Sequence, residues 1–373
     1  MSFTILVHNQ ECAALSFHLI YNVRSGFFSS LSWSCGGYVT VMEANVEECT
    51  IIVNARDRYS CTAECLDVLL ANSAEAQAII GVFGGTPKHL RAMWIGRFGD
   101  RVRFIFKEDY LNQAQARNIG LREVKTRLAV VIDNDNIVYP GWLSALVTCQ
   151  QETGAGMVVP LILEKPRKIH TAGNDLYITH DGGKAFGHKE LRFYGMVYGD
   201  DCNLERRETD YGELHCQLVE VLPALELQVF DENILEVGEC DCGLVWKQAG
   251  RKMMFEPRSV VYYKLGTTIT ADDIGLFCWR WDLRNVLRGY KHFERKWDID
   301  ITEHGNFKNF LMNYNKQIGW LPRCFQSEWA LSADRVLQRV AWRVESLSRV
   351  GNRFWFHLRA KRAGYYDWPD YPK

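Results

Sequence analysis

Leu128-Ala129-Val130-Val131-Ile132-Asp133-Asn134-Asp135 is an apolar run delivered straight into two carboxylates. A run this short, rich in β-branched residues and closed by a polar turn, reads as a strand buried on both faces. The acids then fall at its C-terminal end, the edge at which open α/β sheets bind ligands. Residues two apart in extended backbone point to the same side, so Asp133 and Asp135 can converge on one hard cation and on a phosphate or ribose. By itself the triplet favours a plainer reading, an acidic turn in which Asn136 helps to end the strand.

Similar runs occupy residues 50–53, 78–83 and 102–106, separated by helix-like segments. That alternation implies a parallel sheet with right-handed crossovers. Ser60 is placed to cap the first helix, whose Ala63, Leu66, Leu69 and Leu70 form an inner face. Gly84-Gly85-Thr86-Pro87 reads as a turn, and residues 112–123 as a helix leading into the acidic strand. Beyond Gly141 the pattern weakens, and residues 173–187 read as loops or an edge hairpin. From about 266 the chain is helical and aromatic-rich, with Trp279, Trp281, Tyr290, Phe293 and Trp297. These signals divide it into an N-terminal extension (1–47), a catalytic α/β domain (48–265) and a helical C-terminal extension (266–373). The first 47 residues fit neither a secretory leader nor a clear domain, and translation from Met42 and an ordered extension carry similar weight.

With 373 residues, 47% of them hydrophobic and 24% charged, the chain can bury one large core or two modest ones. Lys plus Arg is 44 against 45 Asp plus Glu, which gives no global attraction to nucleic acid or to an anionic membrane. Twelve scattered cysteines without paired CxxC knuckles argue against structural zinc and for reduced thiols in a cytoplasmic protein. No apolar run reaches the ~20 residues of a membrane-spanning helix.

The stretch from Asn112-Gln113-Ala114-Gln115-Ala116-Arg117-Asn118-Ile119-Gly120 through Asp133-Asn134-Asp135 to Tyr139-Pro140-Gly141-Trp142-Leu143 resembles family 2 glycosyltransferases. In that family a helix with A-R-N-x-G precedes a strand ending in D-x-D. Thr50-Ile51-Ile52-Val53-Asn54-Ala55-Arg56-Asp57-Arg58 is similar to the family's opening strand and nucleotide-contacting loop. Gly238-Glu239-Cys240-Asp241-Cys242-Gly243-Leu244 resembles its E-D-x-D helix. The resemblance spans roughly 48–263. It implies the glycosyltransferase-A fold, a nucleotide-diphospho-sugar donor, Mn2+ or Mg2+, and inversion at the anomeric carbon. It further implies a donor site of Asn54, Arg56, Arg117, Asn118 and Asp133, a metal at Asp133 and Asp135, and Glu239 as general base, with Asp241 orienting the acceptor or exchanging roles with it.

Three departures qualify the match. Val82-Phe83-Gly84-Gly85 lacks the Asp that reads the base in many members, leaving Phe83 to stack on a base or fill the core. In the E-D-x-D segment Gly238 replaces the first acid, and Glu239 stands where Asp is usual. Tyr263 stands where many members place a metal-ligating His, and a phenol of pKa about 10 is a poorer ligand. Trp142 and His170 each have a structural reading as good as a functional one, and His170 stays outside the expected site.

In the C-terminal stretch, Arg335, Arg339 and Arg343 line one side of an amphipathic helix. Packing on the domain is the default there, and peripheral contact with anionic lipid the minority reading. The acceptor is a saccharide, a lipid-linked group or another hydroxyl compound. Two other functions compete: a sugar-nucleotide nucleotidyltransferase using Gly84-Gly85-Thr86 as a phosphate loop, and a catalytically silent sugar- or lipid-binding protein.

Overall fold

The computed structural model describes residues 29–33, 39–43, 49–165, 167–199, 202, 204–264, 269–301 and 358. Arg335, Arg339 and Arg343 lie outside the described residues. The first described element is a hairpin of β1 (Ser29–Trp33) and β2 (Val39–Glu43).

The apolar runs fold as β3 (Cys49–Asn54), β4 (Ala78–Gly84), β5 (Val102–Lys107) and β6 (Leu128–Asp133). All four pair in parallel, in the order β6-β3-β4-β5. The connecting helices are α1 (Thr62–Asn72), α2 (Lys88–Phe98) and α3 (Gln113–Glu123). Alternate strand residues feed opposite cores. Val130 and Ile132 of β6 join α1 and α2, whereas Ala129 and Val131 join Ala116 and Leu121 of α3. The sheet is thus covered on both sides, which is why its strands are apolar throughout rather than alternating. Gly120 lets α3 approach closely, since a Cβ there would come within 2.5 Å of Ile52.

Ser60 does not cap α1. The helix starts one residue later than that cap requires, with Cys61 at the cap position and no side-chain bond, while the Ser60 N–H donates to the Asp273 carboxylate instead. The α3 helix is capped by Asn112, whose side chain accepts from the Gln115 N–H while the Gln115 side chain returns a bond to the Asn112 N–H.

After β6 come the short β7 (Asn136–Val138), α4 (Trp142–Thr153), β8 (Met157–Glu164) and β9 (Ile169–Thr171). The region expected to be loops or an edge hairpin is a hairpin, β10 (Asn174–Asp181) with β11 (Lys184–Leu191). Next are β12 (Arg207–Glu208), β13 (Cys216–Glu220), α5 (Val221–Glu226), α6 (Gly238–Gln248) and β14 (Met253–Tyr263). β13 enters antiparallel between β6 and β8, and β14 runs parallel to β8. The result is a mixed α/β fold around a mostly parallel sheet.

A third core joins α6 to α7 (Ile274–Arg280) and α8 (Leu283–Trp297) through Cys240, Phe277, Trp281, Leu287 and Phe293. The final β15 (Ile299–Asp300) pairs with β11, so the chain beyond α8 joins the hairpin's sheet. None of the described helices is long and apolar enough to cross a membrane.

Candidate active site

The ends of β3 and β6 meet at Asp133. Its Oδ1 accepts from Asn54 Nδ2 at 2.8 Å and Arg117 Nη2 at 3.0 Å, and its Oδ2 accepts from Gln113 Nε2 at 2.6 Å. Asn54, Arg117 and Asp133 are all fully buried. Arg117 also donates to the Leu214 carbonyl. The guanidinium is therefore committed inside the protein, bracing Asp133, and does not line the cavity described below. Asn118 sits elsewhere again, donating to the Phe230 carbonyl and to Glu232.

Asn134 points the opposite way from its acidic neighbours. Its amide donates to the Arg58 carbonyl and Thr62 Oγ1, and its Oδ1 accepts from the Arg56 N–H, which fixes the loop after β3 from within. Asp273 holds the same loop from outside by accepting from the Tyr59 and Ser60 N–H groups. Trp281 Nε1 donates to Asp57. Burial works to raise the Asp57 pKa, but the Arg58 hydrogen bond and charge overcome it and hold the carboxyl below its usual range.

Ligand atoms of Asp133, Asp135 and His215 lie within 4.8 Å of one another. The convergence expected of the two acids is present, with an imidazole added. His215 immediately precedes β13, and its carbonyl accepts from the Asp133 N–H. Burial raises the Asp135 carboxyl to about 7, against the pull of Arg56. His215 Nδ1 is buried without a hydrogen-bond partner among the described residues. Two carboxylates and an unclaimed imidazole nitrogen at this spacing suit a divalent cation.

Arg56, Asp133, His170, Lys189, Glu213 and Glu239 share the lining of a cavity of about 230 Å³ with His215 and Tyr263. Arg56 donates to the Tyr263 hydroxyl and lies 3.9 Å from Asp135. The Tyr263 ring packs on His215 with centroids 4.0 Å apart. Glu239, in the first turn of α6, accepts from Lys189 of β11. Burial disfavours the ionised Glu239 carboxylate, yet the Lys189 ammonium prevails and keeps its pKa below the ordinary value. Glu213 faces the same enclosure, and burial pushes its carboxyl up to about 7 despite Lys189 nearby.

Asp241 is not among the cavity-lining residues. It accepts from Trp297 Nε1 at 2.7 Å and pairs with Lys296 at 2.8 Å, fastening α8 to α6. Residues two apart on a helix face in different directions, which separates it from Glu239. Two aromatic ambiguities also close. Phe83 is 1% exposed with its ring 4.9 Å from Trp94, and Trp142 is fully buried with Nε1 bonded to Ser73, so both pack the core.

Residues 50–204 match the family model for glycosyl transferase family 2. Over that segment the chain is similar to a family 2 glycosyltransferase domain. Its mixed sheet is the glycosyltransferase-A fold, and Asp133-Asn134-Asp135 lies inside the matched segment, whereas Glu239 and Asp241 lie beyond it. No curated protein matches the chain. Among solved structures it is similar to GalNAc-T7 with UDP, GalNAc and Mn2+, at 16% identity and TM-score 0.44 over 58% of this chain and 43% of that one. The mannosyltransferase PcManGT of Pyrobaculum calidifontis, with GDP-Man and Mn2+, aligns at 14% identity and TM-score 0.44 over 87% and 88%. TarS 1–349 of S. aureus, with UDP-GlcNAc, aligns at 10% identity and TM-score 0.42 over 72% and 81%. The chain thus spans less than half of the GalNAc-T7 chain.

The sequence offered little toward three cavity residues, Lys189, Glu213 and His215. Each is a lone charged or imidazole residue in the irregular middle of the chain. Only the pairing of β13 with β6 and the fold-back of the β10–β11 hairpin bring them to Asp133 and Glu239.

Proposed function

We propose that the protein transfers a sugar from a nucleotide-diphospho-sugar to an acceptor hydroxyl by direct displacement, inverting the anomeric carbon. The observation that carries this reading is that Asp133 of β6 and Glu239 of α6 line one cavity together with Arg56. Displacement needs those two centres: one to hold the leaving diphosphate, the other to take the acceptor's proton.

Arg56, which lines the cavity, would meet the diphosphate, because a guanidinium makes paired, directed bonds to phosphate oxygens. Asn54 and Arg117 act behind it by holding Asp133, and Asn118 braces the loop at Phe230 and Glu232. Asp135 with Asp133 would hold Mn2+ or Mg2+, which when bound supplies positive charge to the departing diphosphate. Glu239 is the general base, kept ionised by Lys189 so that it can accept the hydroxyl proton. Asp241 keeps α8 closed over α6. We assign residues 48–265 as the catalytic unit. The acceptor is a saccharide or lipid-linked hydroxyl compound, met in the cytoplasm or at its membrane surface.

The nucleotidyltransferase reading finds no support in the Gly84-Gly85-Thr86 loop, whose Gly85 N–H is spent on the Lys107 carbonyl rather than offered to phosphate. The test is donor turnover by the full chain across UDP- and GDP-sugars, with Mn2+ or Mg2+, with and without sugar and lipid-linked acceptors. Release of the nucleoside diphosphate is expected for at least one donor. Donor binding without turnover under every condition would leave a silent binding protein.

A further inference from the structure

We infer that His170, Glu213 and His215 form a transition-metal site of their own, beside the Asp133–Asp135 pair, for an ion of the Zn2+ class. Ligand atoms of the three side chains lie within 4.8 Å of one another. Two imidazoles and one carboxylate are a donor set suited to zinc and its neighbours rather than to Mg2+, which prefers oxygen.

The group is built as a ligand set is built. His170 Nδ1 lies 3.0 Å from Glu164 Oε2, and Glu164 is held in turn by Lys168 at 2.6 Å. An ionised carboxylate only accepts, so Nδ1 carries the proton and Nε2 is left with its lone pair. A carboxylate behind a ligating histidine is the usual device for fixing its tautomer and ring orientation. His215 is 4% exposed, and its Nδ1 finds no hydrogen-bond partner among the described residues. The two imidazole rings lie edge to face, with centroids 5.2 Å apart. Arg56, Lys189 and Arg280 are the described cations lining this enclosure, and each has a carboxylate of its own, Asp135, Glu239 and Glu236.

His215 belongs to both candidate groups, and the site assigns it to the nitrogen-rich one. Three protein ligands leave a fourth position on the cavity side for water or an acceptor hydroxyl. Ion binding by these side chains needs neither donor nor acceptor and is measurable apart from the transfer reaction.

The test titrates Co2+, and Zn2+ in competition with a chromophoric chelator, into metal-stripped full-length protein without nucleotide. One ion per chain is expected, with the visible absorption of nitrogen-ligated Co2+. His170→Ala and Glu213→Gln should each lower affinity by about tenfold or more, and Glu164→Gln by about tenfold through the ring it orients. Asp135→Asn should leave the affinity and spectrum within about threefold of the parent. Melting of each metal-free variant separates lost ligation from lost folding. Loss in Asp135→Asn with retention in His170→Ala and Glu213→Gln would place the ion on the aspartates and overturn the site. So would the absence of stoichiometric binding in the parent protein.

Discussion

Asp133 and Asp135 stand two apart in sequence, as do Glu239 and Asp241, and the backbone between each pair decides where the carboxylates go. At the end of β6 the chain is extended, so residues two apart share a side and their ligand atoms come within 4.8 Å. In the first turn of α6 the same spacing is a rotation of about 200°, and the pair separates. Glu239 reaches Lys189 and the cavity, while Asp241 reaches Lys296 and Trp297 of α8. One motif makes a site from two acids. The other joins a reactive group to a structural clasp.

The largest effect is expected at Asp133. Asp133→Ala would leave the Arg117 guanidinium, wholly buried, without its carboxylate. Stripping one partner from a buried pair costs about 3–5 kcal/mol, which chemical denaturation would register. A loss below about 1 kcal/mol would mean that Asp133 is not the brace its bonds describe.

On α6 the largest effect belongs to Glu239. Glu239→Gln should lower single-turnover transfer by about 100-fold or more while titrated donor affinity persists. Lys189→Met sharpens the assignment. Lys189 holds the Glu239 pKa below its usual value, so removing it should raise that pKa and move the acid limb of the kcat/KM profile to higher pH. An unmoved acid limb would indicate a base other than Glu239, and Glu213 and Glu236 are the other glutamates lining the cavity.

Asp135 tests the strand-end pair as a cation site. Asp135→Asn should weaken metal-supported donor binding by about tenfold, measured by isothermal titration with and without Mn2+. Equal affinities in parent and variant would detach the aspartates from any donor-associated ion.

Most of the sheet's first half is legible in the sequence, because a fully covered parallel strand needs an unbroken apolar run and the chain supplies four. The D-x-D convergence is legible for the same reason, since it needs only the period of an extended strand. The rest depends on long-range pairing. Arg117 reads as a phosphate ligand until its burial against Asp133 is known, and nothing local says that a guanidinium in a helix will turn inward. His215 reaches Asp133 because β13 pairs antiparallel with β6, a register that no motif announces. Tyr263 reads as a lost imidazole, yet its ring lies against one contributed by the segment just before β13. Ser60 fails as a cap because α1 begins one residue later, at Thr62, after a loop whose N–H groups are held by Asp273.

The smallest expected effect is also the one that most directly separates the two members of the α6 pair. Asp241 is 1% exposed, and burial is the main reason its carboxyl titrates above the usual value, with Lys296 and Trp297 opposing that rise. Asp241→Asn keeps an acceptor for Trp297 Nε1 and removes the charge facing Lys296, which retains Asp231 at 3.1 Å. Burial opposes the ionised form that the mutation removes, so the loss of the charge-assisted bond is partly offset and stability should fall by no more than about 1 kcal/mol, with single-turnover transfer within about threefold of the parent. A double-mutant cycle with Lys296→Met isolates the clasp, and a coupling of about 0.5 kcal/mol or more is expected from groups in contact. Collapse of transfer in Asp241→Asn at unchanged stability, beside near-parental rates in Glu239→Gln, would reverse the two roles, and the first turn of α6 would have to unwind for Asp241 to reach the cavity.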